Sequence, residues 1–472
     1  MKKLSSIIEK DIGFVKRHKK MLSAFSAFIL ALIIVKVVWV AWACHGIGSW
    51  QGEKDDIIER RNYLYSQVMV EPQKQIDEMP DALGPQFKGE WALYTCSMFA
   101  QGLYNIARLY PETRDNCKKD IEQLISIVLS PELRKYDADR WGEDPIESLN
   151  GDKSHISYIS HLAWIISNYR MLGGRKYDDL FSSLCETMSR RISNVYSMML
   201  PTYPGEPIYV PDMMVAIVAL HRYSVLNDGC YNNLIGRWLI KADKEWTDEK
   251  TGLLVSMLNP DGTKSEDAPV IGSYAALNCY YLSLIDDDFG LEQYDRLIKH
   301  FLDDGILLTG IDEKDFTISP LYFDVDAGPV VLGLSPSGTA FAVGCVTYYD
   351  EGYQPLSSHK TTLRKKLMRT AEIAGHTVSW LGKRHYLLAD YALVGEAIML
   401  AMRTSTARPQ PLQNKEKKFR RCPMCGGELY GLSYGYYIGN HPSVDTIDHV
   451  IHAGCVVREA QWKCIQCGQE YK

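Results

Sequence analysis

The chain has 472 residues, 46% of them apolar, with a formal net charge of −6. That length and apolar content supply a large core with room for more than one domain. The acidic balance leaves no broad basic surface to neutralise phosphates, so nucleic acid is excluded as a main partner.

Residues 1–20 form a basic segment containing Lys10, Lys16, Arg17, Lys19 and Lys20. Residues 21–44 follow as an apolar run with Lys36 as its single charge and with Trp39 and Trp42 near its end. About 20 apolar residues suffice to cross a bilayer, and the run exceeds the roughly 7–15 of a cleaved signal's apolar region. It therefore reads as a transmembrane helix that anchors the chain in the cell membrane as a single-pass protein. More basic residues precede it than follow it in Lys54, Arg60 and Arg61. The positive-inside rule then places the N-terminus in the cytoplasm and the main domain on the extracytoplasmic side.

From residue 54 to 404 the apolar spacing is helical, with few alternating β-branched runs. Apolar helices are expected to begin near Glu90, Ser154, Pro211, Val270, Asp326 and Arg384, each followed after a short break by a more charged helix. A helix pair recurring about every 60 residues, six times, predicts an all-α fold, an (α/α)6 toroid of six inner and six outer helices. The polar stretch Asp55–Val70 would supply the outer partner of the last inner helix. The alternative is an open helical solenoid.

The expected inner-helix starts are polar although the helices themselves are apolar on nearly all sides. The second carries Asp152, His155 and His161; the third follows Glu206 and Tyr209 with Asp212; the fourth has Asp267 and Tyr274; the fifth has Asp324 and Asp326. In a closed ring these starts converge on one funnel mouth, where carboxyl, imidazole and phenol groups suit general acid–base chemistry. His155 and His161 are six residues apart, about 240° around a helix, so one helix would not aim both at the funnel. His161, set among apolar neighbours, is the candidate. Asp212 directly follows Pro211 and also has the simpler role of complementing a helix N-terminus.

Residues 405–421, rich in Pro, Gln and charge, read as a linker, and residues 422–472 as a zinc ribbon. Cys422 and Cys425 form one C-x2-C knuckle and Cys464 and Cys467 another, with 38 residues between them. Four thiolates at these spacings suit a structural, tetrahedral zinc with no open position for substrate. An extracytoplasmic location favours two disulfides instead. The cysteines at 44, 96, 117, 185, 230, 279 and 345 read as buried small apolar groups.

Several stretches between Glu90 and Thr404 resemble the linalool dehydratase/isomerase family. They are Gly142–Glu147 (GEDPIE), Ser160–Leu162 (SHL) with the following GGRKYDDLF, Tyr209–Met213 (YVPDM), GSYAAL and DVDAGP, in that order. The resemblance implies an (α/α)6 fold and acid–base removal, addition or migration of water on an allylic terpene alcohol. It also implies pocket roles for His161, Tyr94 and Tyr274. Tyr209 stands where that family has a pocket cysteine, and its second pocket cysteine has no counterpart here.

These readings lead to a membrane-anchored enzyme with no cofactor for catalysis. Asp212 and His161 are expected as the acid–base pair, and Tyr94, Tyr209, Tyr274, Glu206, Asp324 and Asp326 as substrate-binding groups. The small-molecule substrate is an isoprenoid-type alcohol or, given the supply of carboxylates and aromatic rings, a carbohydrate. A third expectation is a non-enzymatic scaffold acting through the zinc ribbon. Homo-oligomeric assembly is left open.

Overall fold

The computed structural model describes residues 2–47, 50–80, 84–313, 321–352, 361–390 and 392–405, and short strands between 429 and 471. The chain begins with α1 (Lys2–Ala43), whose Met21–Ala43 stretch is long and apolar enough to cross a membrane, with mean hydropathy 2.5. Next come α2 (Trp50–Val68), α3 (Pro72–Asp77), α4 (Pro85–Leu109), α5 (Arg114–Val128), α6 (Pro131–Trp141), α7 (Ile156–Met171) and α8 (Asp178–Asn194). They are followed by α9 (Val210–Leu226), α10 (Asn232–Glu245), α11 (Gly272–Ser283), α12 (Asp287–Phe301), α13 (Pro336–Gly352), α14 (Thr361–Gly375) and α15 (Leu393–Arg403).

Helices α4, α7, α9, α11, α13 and α15 each pack on the next, and α15 returns to pack on α4. The ring closes, so the fold is an all-α toroid and not an open solenoid. Helices α5, α8, α10, α12 and α14 pack outside their inner partners, and α2 takes the outer place beside α15. Composition explains the division. Every residue of α7 from Ile156 to Tyr169 is buried, which requires a helix apolar all round. The outer α12 instead carries an Asp286 cap, whose side chain accepts from the backbone N–H groups of Asp288 and Phe289, and ends in Lys299 and His300. Cap and end charges match the helix dipole.

The fifth and sixth inner helices start later than expected, at Pro336 and Leu393 rather than near Asp326 and Arg384. Short strands of two to four residues occupy the intervening residues, which is why these two starts fall later than expected. Strands β1 (Ile208–Tyr209) and β2 (Met257–Leu258) pair with each other. Strands β3 (Leu302–Asp304), β4 (Thr309–Asp312), β5 (Leu321–Asp324), β6 (Gly328–Val331) and β7 (Leu334–Ser335) form a sheet ordered β3-β4-β7-β6-β5. Strands β8 (Thr377–Trp380) and β9 (Lys383–Tyr386) make a hairpin whose turn uses positive φ at Leu381 and Gly382. The Asp326 stretch is a hairpin turn because Gly328 sits at φ 82° and Pro329 has no N–H to carry a helix onward.

The inner helices run in parallel. At their C-terminal ends a buried polar floor seals the funnel: Arg222 donates to Ser167, Asn168 and Gln101, and Asn105 donates to Ala401 O and Thr404. The N-terminal ends form the mouth.

Helix α2 is fastened to the last helix pair through buried charge. The fully buried Arg60 donates to Glu396 at 2.8 Å, Asp56 at 3.2 Å, Glu372 at 3.4 Å and Thr377 Oγ1 at 2.7 Å. Nearer the floor, Arg364 grips both Glu53 oxygens at 2.6 and 2.9 Å, and Arg403 pairs with Asp56.

Five further strands, β10 (Leu429–Ser433), β11 (Val444–Asp445), β12 (Val450–His452), β13 (Trp462–Cys464) and β14 (Glu470–Tyr471), form a separate sheet ordered β11-β12-β10-β13-β14. Cys464 is buried and its residue pairs with Leu429, whereas Cys422, Cys425, Cys467 and the linker beyond Ser405 lie outside the described residues.

Removing one partner of a buried ion pair costs about 3–5 kcal/mol because the other charge is left unpaired. Arg60→Met is expected to lower unfolding stability by about that amount, read as the midpoint of denaturant unfolding. A loss under about 1 kcal/mol, the size expected of an exposed pair, would contradict the role given to this network.

Candidate active site

The inner helices are buried along most of their length, and three of them carry partly exposed residues near their N-terminal starts. Among the residues of α11, Tyr274 alone is partly exposed; within the first half of α9, Asp212 alone is; in α4, Glu90, Trp91 and Tyr94 are. Local structure fixes each start. The β1–β2 pair holds Tyr209 as the residue before α9. At α11, Glu313 from the end of β4 accepts from Ser273 N at 2.9 Å and Ser273 Oγ at 2.7 Å. Gly272 is required there, since a Cβ at that position would lie 1.9 Å from Asp312 O.

Three carboxyl groups meet at the mouth. Asp212 accepts a 2.6 Å hydrogen bond from Thr202 Oγ1, and no side-chain bond caps α9 from its preceding residue. Asp326 enters from the β5–β6 turn and accepts from the Tyr274 hydroxyl. Glu90, on α4, accepts from the Tyr203 hydroxyl. Desolvation raises all three. The Asp212 carboxyl goes up to about 6, opposed by the Thr202 bond and assisted by Asp326. Asp326 is raised by desolvation, against its Tyr274 bond. Glu90 goes up to about 8, first from desolvation and then from the charge of Asp212, while Tyr203 and Arg140 pull it down. Asp212 and Asp326 both ionise below Glu90, and the charge of each opposes ionisation of Glu90.

A chain of hydroxyls backs Glu90. Tyr203 contacts Ser157 Oγ at 3.2 Å, and Ser157 contacts Tyr136 at 3.0 Å. Arg140 lies over the Tyr203 ring, 4.0 Å from its centroid, and pairs with Glu206 at 2.6 Å. Glu206 is thereby held at the rim.

Deeper in the wall, Tyr94 and Tyr281 share a 3.3 Å hydroxyl contact, and Tyr94 also tilts against His161 with ring centroids 5.1 Å apart. Trp164 meets Tyr281 edge-on at 5.5 Å. His161 is buried, with Nδ1 2.8 Å from Ser97 Oγ, and burial alone lowers its pKa to about 3. It is a neutral imidazole at pH 7. The charge of Asp212 acts on Glu90 and on Tyr94, Tyr209, Tyr274 and Tyr281, whereas His161 has Ser97 as its hydrogen-bond partner.

The remaining expected residues are placed as follows. Tyr209 and Tyr274 meet edge to face at 6.1 Å beside Asp212 and Asp326. Asp324 folds the hairpin turn instead of reaching the funnel, accepting from the backbone N–H groups of Asp326 and Ala327 at 2.9 Å each. Asp152 is exposed and pairs with Arg190, and Asp267 is exposed. His155 precedes α7 in a left-handed conformation, so the helical-wheel argument separating it from His161 does not apply. It is fully buried, 2.5 Å from Asp137 and 3.3 Å from Ser148 Oγ. Glu143 shares the same ring nitrogen, and Ser148 donates to Asp144 O at 2.6 Å. The cluster braces the acidic loop onto α6 and leaves Ser148 occupied.

Glu90, Thr202, Tyr203, Arg140 and Tyr281 were not among the expected site residues. The signal for Glu90 was present, since it is a carboxylate leading into the apolar run WALYTCSMFA.

No family model matches the chain, and no curated relative matches it. A glycoside hydrolase of family 105 from C. acetobutylicum ATCC 824 is similar in structure, with TM-score 0.45 and 14% identity, covering 66% of this chain and 92% of that one. The toroid described above rests on the helix contacts of this chain alone.

A carboxyl whose folded pKa is raised contributes stability below its unfolded pKa, and that contribution is lost as pH rises through the folded value. For Glu90 this window runs from about 4.5 to about 8. The melting temperature of Glu90→Gln minus that of the native chain is expected to grow more positive across it. A difference that stays flat with pH would show that Glu90 is not held protonated.

Proposed function

We propose that the chain is a membrane-anchored enzyme that breaks, forms or moves a C–O bond of a hydroxyl-bearing small molecule by general acid–base catalysis. The observation that supports this most is Glu90 and Asp212 in one mouth, raised to about 8 and about 6. Near pH 7 one is an acid and the other a base, the arrangement that lets two carboxyls divide the work. In the dehydrating direction Glu90 gives its proton to the hydroxyl oxygen, the C–O bond breaks and water leaves. Asp212 takes a proton from the adjacent carbon, whose C–H electron pair becomes the double bond. Hydration is the reverse, and proton exchange with solvent resets the pair. Tyr203 positions Glu90, and Thr202 holds the Asp212 oxygen that ionises.

The favoured substrate is an amphiphilic alcohol of isoprenoid type, in keeping with the linalool dehydratase/isomerase resemblance of His161, Tyr94 and Tyr274. Tyr94 is the partly exposed member of an otherwise buried aromatic group, with Tyr281, Trp164 and neutral His161 packed behind it and few charges near it. A carbohydrate substrate is the second reading, favoured by three carboxyls and the Arg140–Glu206 pair at the mouth. An apolar substrate would bury those groups at a cost of about 1–3 kcal/mol for each one left unpaired.

Allylic terpene alcohols and oligosaccharides, offered in parallel with product analysis by mass spectrometry, distinguish the two. Activity should rise with pH through about 6 as Asp212 ionises and fall through about 8 as Glu90 does. Asp212→Asn and Glu90→Gln should each lower turnover by about 10²–10⁴-fold. Unchanged turnover in both variants, with Cys422→Ser abolishing the cellular phenotype, would favour the scaffold role instead.

Cys422, Cys425, Cys464 and Cys467 fit a structural zinc. Strand β10 begins four residues after Cys425 and pairs with β13, which ends in Cys464, so the sheet joins the chain following one knuckle to the start of the other. The metal would stabilise this small sheet and take no part in turnover. Metal analysis should give one zinc per chain with these four thiols unreactive until chelation. A metal-free chain with both pairs oxidised would contradict it.

A further inference from the structure

We infer that the toroid lies mouth-down on the bilayer, with the apolar outer face of the β5–β6 hairpin in the lipid interface, so that the funnel opens toward the membrane. The inference rests on reading the apolar part of α1 upstream of Lys36 as the membrane-embedded segment, and it extends the proposed function by giving the substrate a lipid route to Glu90 and Asp212.

Two observations made on different parts of the chain support it. The first is where α1 leaves the toroid. An outer helix antiparallel to its inner partner ends at the mouth, and α1 docks on the C-terminal end of α14. Lys36 Nζ donates to Glu372 O at 3.2 Å, Trp39 Nε1 donates to Thr377 O at 2.8 Å, and the Trp39 ring stacks on His376 at 4.9 Å. Past Ala43 the chain enters α2, whose first turn reaches Arg364 and Arg403 at the floor. Helix α1 therefore descends from mouth to floor, and its upstream apolar part projects beyond the mouth. That part is exposed: Phe25, Leu30 and Val35 show 61%, 58% and 62% of their surface.

The second observation is the hairpin. Its turn carries Asp326 to the mouth, so the β5–β6 ribbon lies at that opening. On an ordinary half-buried ribbon the apolar face turns inward and the polar face outward. Here Phe323 pairs with Pro329 on the exposed face, joined by Val331 and Leu332, while Tyr322 and Asp324 alternate on the more buried one. Phe323, Val331 and Leu332 are 57%, 45% and 56% exposed. Apolar side chains clustered on one rim mark an interaction surface. The span leaving on the same side brings the bilayer to that rim, and aromatic and aliphatic groups at a headgroup boundary are stabilised there.

The test uses the full-length chain reconstituted in phosphatidylcholine liposomes that contain a lipid spin-labelled near the headgroup. An environment-sensitive fluorescent amino acid replaces Phe323 or, in a second chain, Val225, which is 62% exposed near the floor end of α9. The probe at 323 is expected to be quenched by the spin-labelled lipid several-fold more than the probe at 225. Equal or absent quenching in a chain that floats with the liposomes would overturn the inference and leave the acid–base reading intact. A chain that does not float would overturn both the span and the inference. Because lipid contact is read instead of turnover, failure here is distinguishable from failure of the Glu90–Asp212 chemistry.

Discussion

The toroid depends on charges buried between α2 and the last helix pair. Five inner helices find outer partners that directly follow them in sequence; the sixth, α15, takes its partner from the start of the domain, more than 300 residues earlier. A purely apolar seam would hold that contact without fixing its register. Arg60 against Asp56, Glu372 and Glu396, with Arg364 on Glu53, permits one alignment, because any slip leaves desolvated charge unpaired. Closure then follows, and with it the convergence of six helix starts on one opening.

That convergence shapes the electrostatics of the mouth. Separate carboxyls on separate helices would each ionise near their usual values; brought together in a partly desolvated mouth, they share one local field. Asp212 and Asp326, each with a hydroxyl donor, ionise below Glu90, which retains its proton against their charge. The polar floor keeps this opening single-ended, since Arg222 and Asn105 tie α4, α7, α9 and α15 together beneath it. His161 contributes a neutral ring to the wall because nothing near it compensates a buried positive charge.

Much of the ring was legible from the alternation of wholly apolar and amphipathic helices, which is the direct record of inner and outer burial. Even the outer role of α2 could be read from its polarity and position. The fifth and sixth starts were misplaced because the hydrophobic residues of LYFDVDAGPVV and TVSWLGKRHY suit strand or helix equally, and Gly328, Pro329, Leu381 and Gly382 decide between them only through backbone geometry. Asp212 and Tyr274 stood out as polar groups opening apolar helices. Glu90 had the same signature but was taken as a helix boundary. Thr202, Tyr203 and Arg140 lie in loops or on α6, and no periodicity links them to the mouth; only the folded ring brings them to Asp212 and Glu90.

The central claim is that this closed ring keeps one carboxylic acid protonated beside one carboxylate at neutral pH. The most direct measurement is a carbon-13 NMR titration of the chain labelled at glutamate side-chain carboxyls, with Glu90→Gln identifying the resonance. The account predicts one glutamate resonance with its midpoint near 8, absent from the variant. A spectrum in which every glutamate titrates near 4.5 would contradict it.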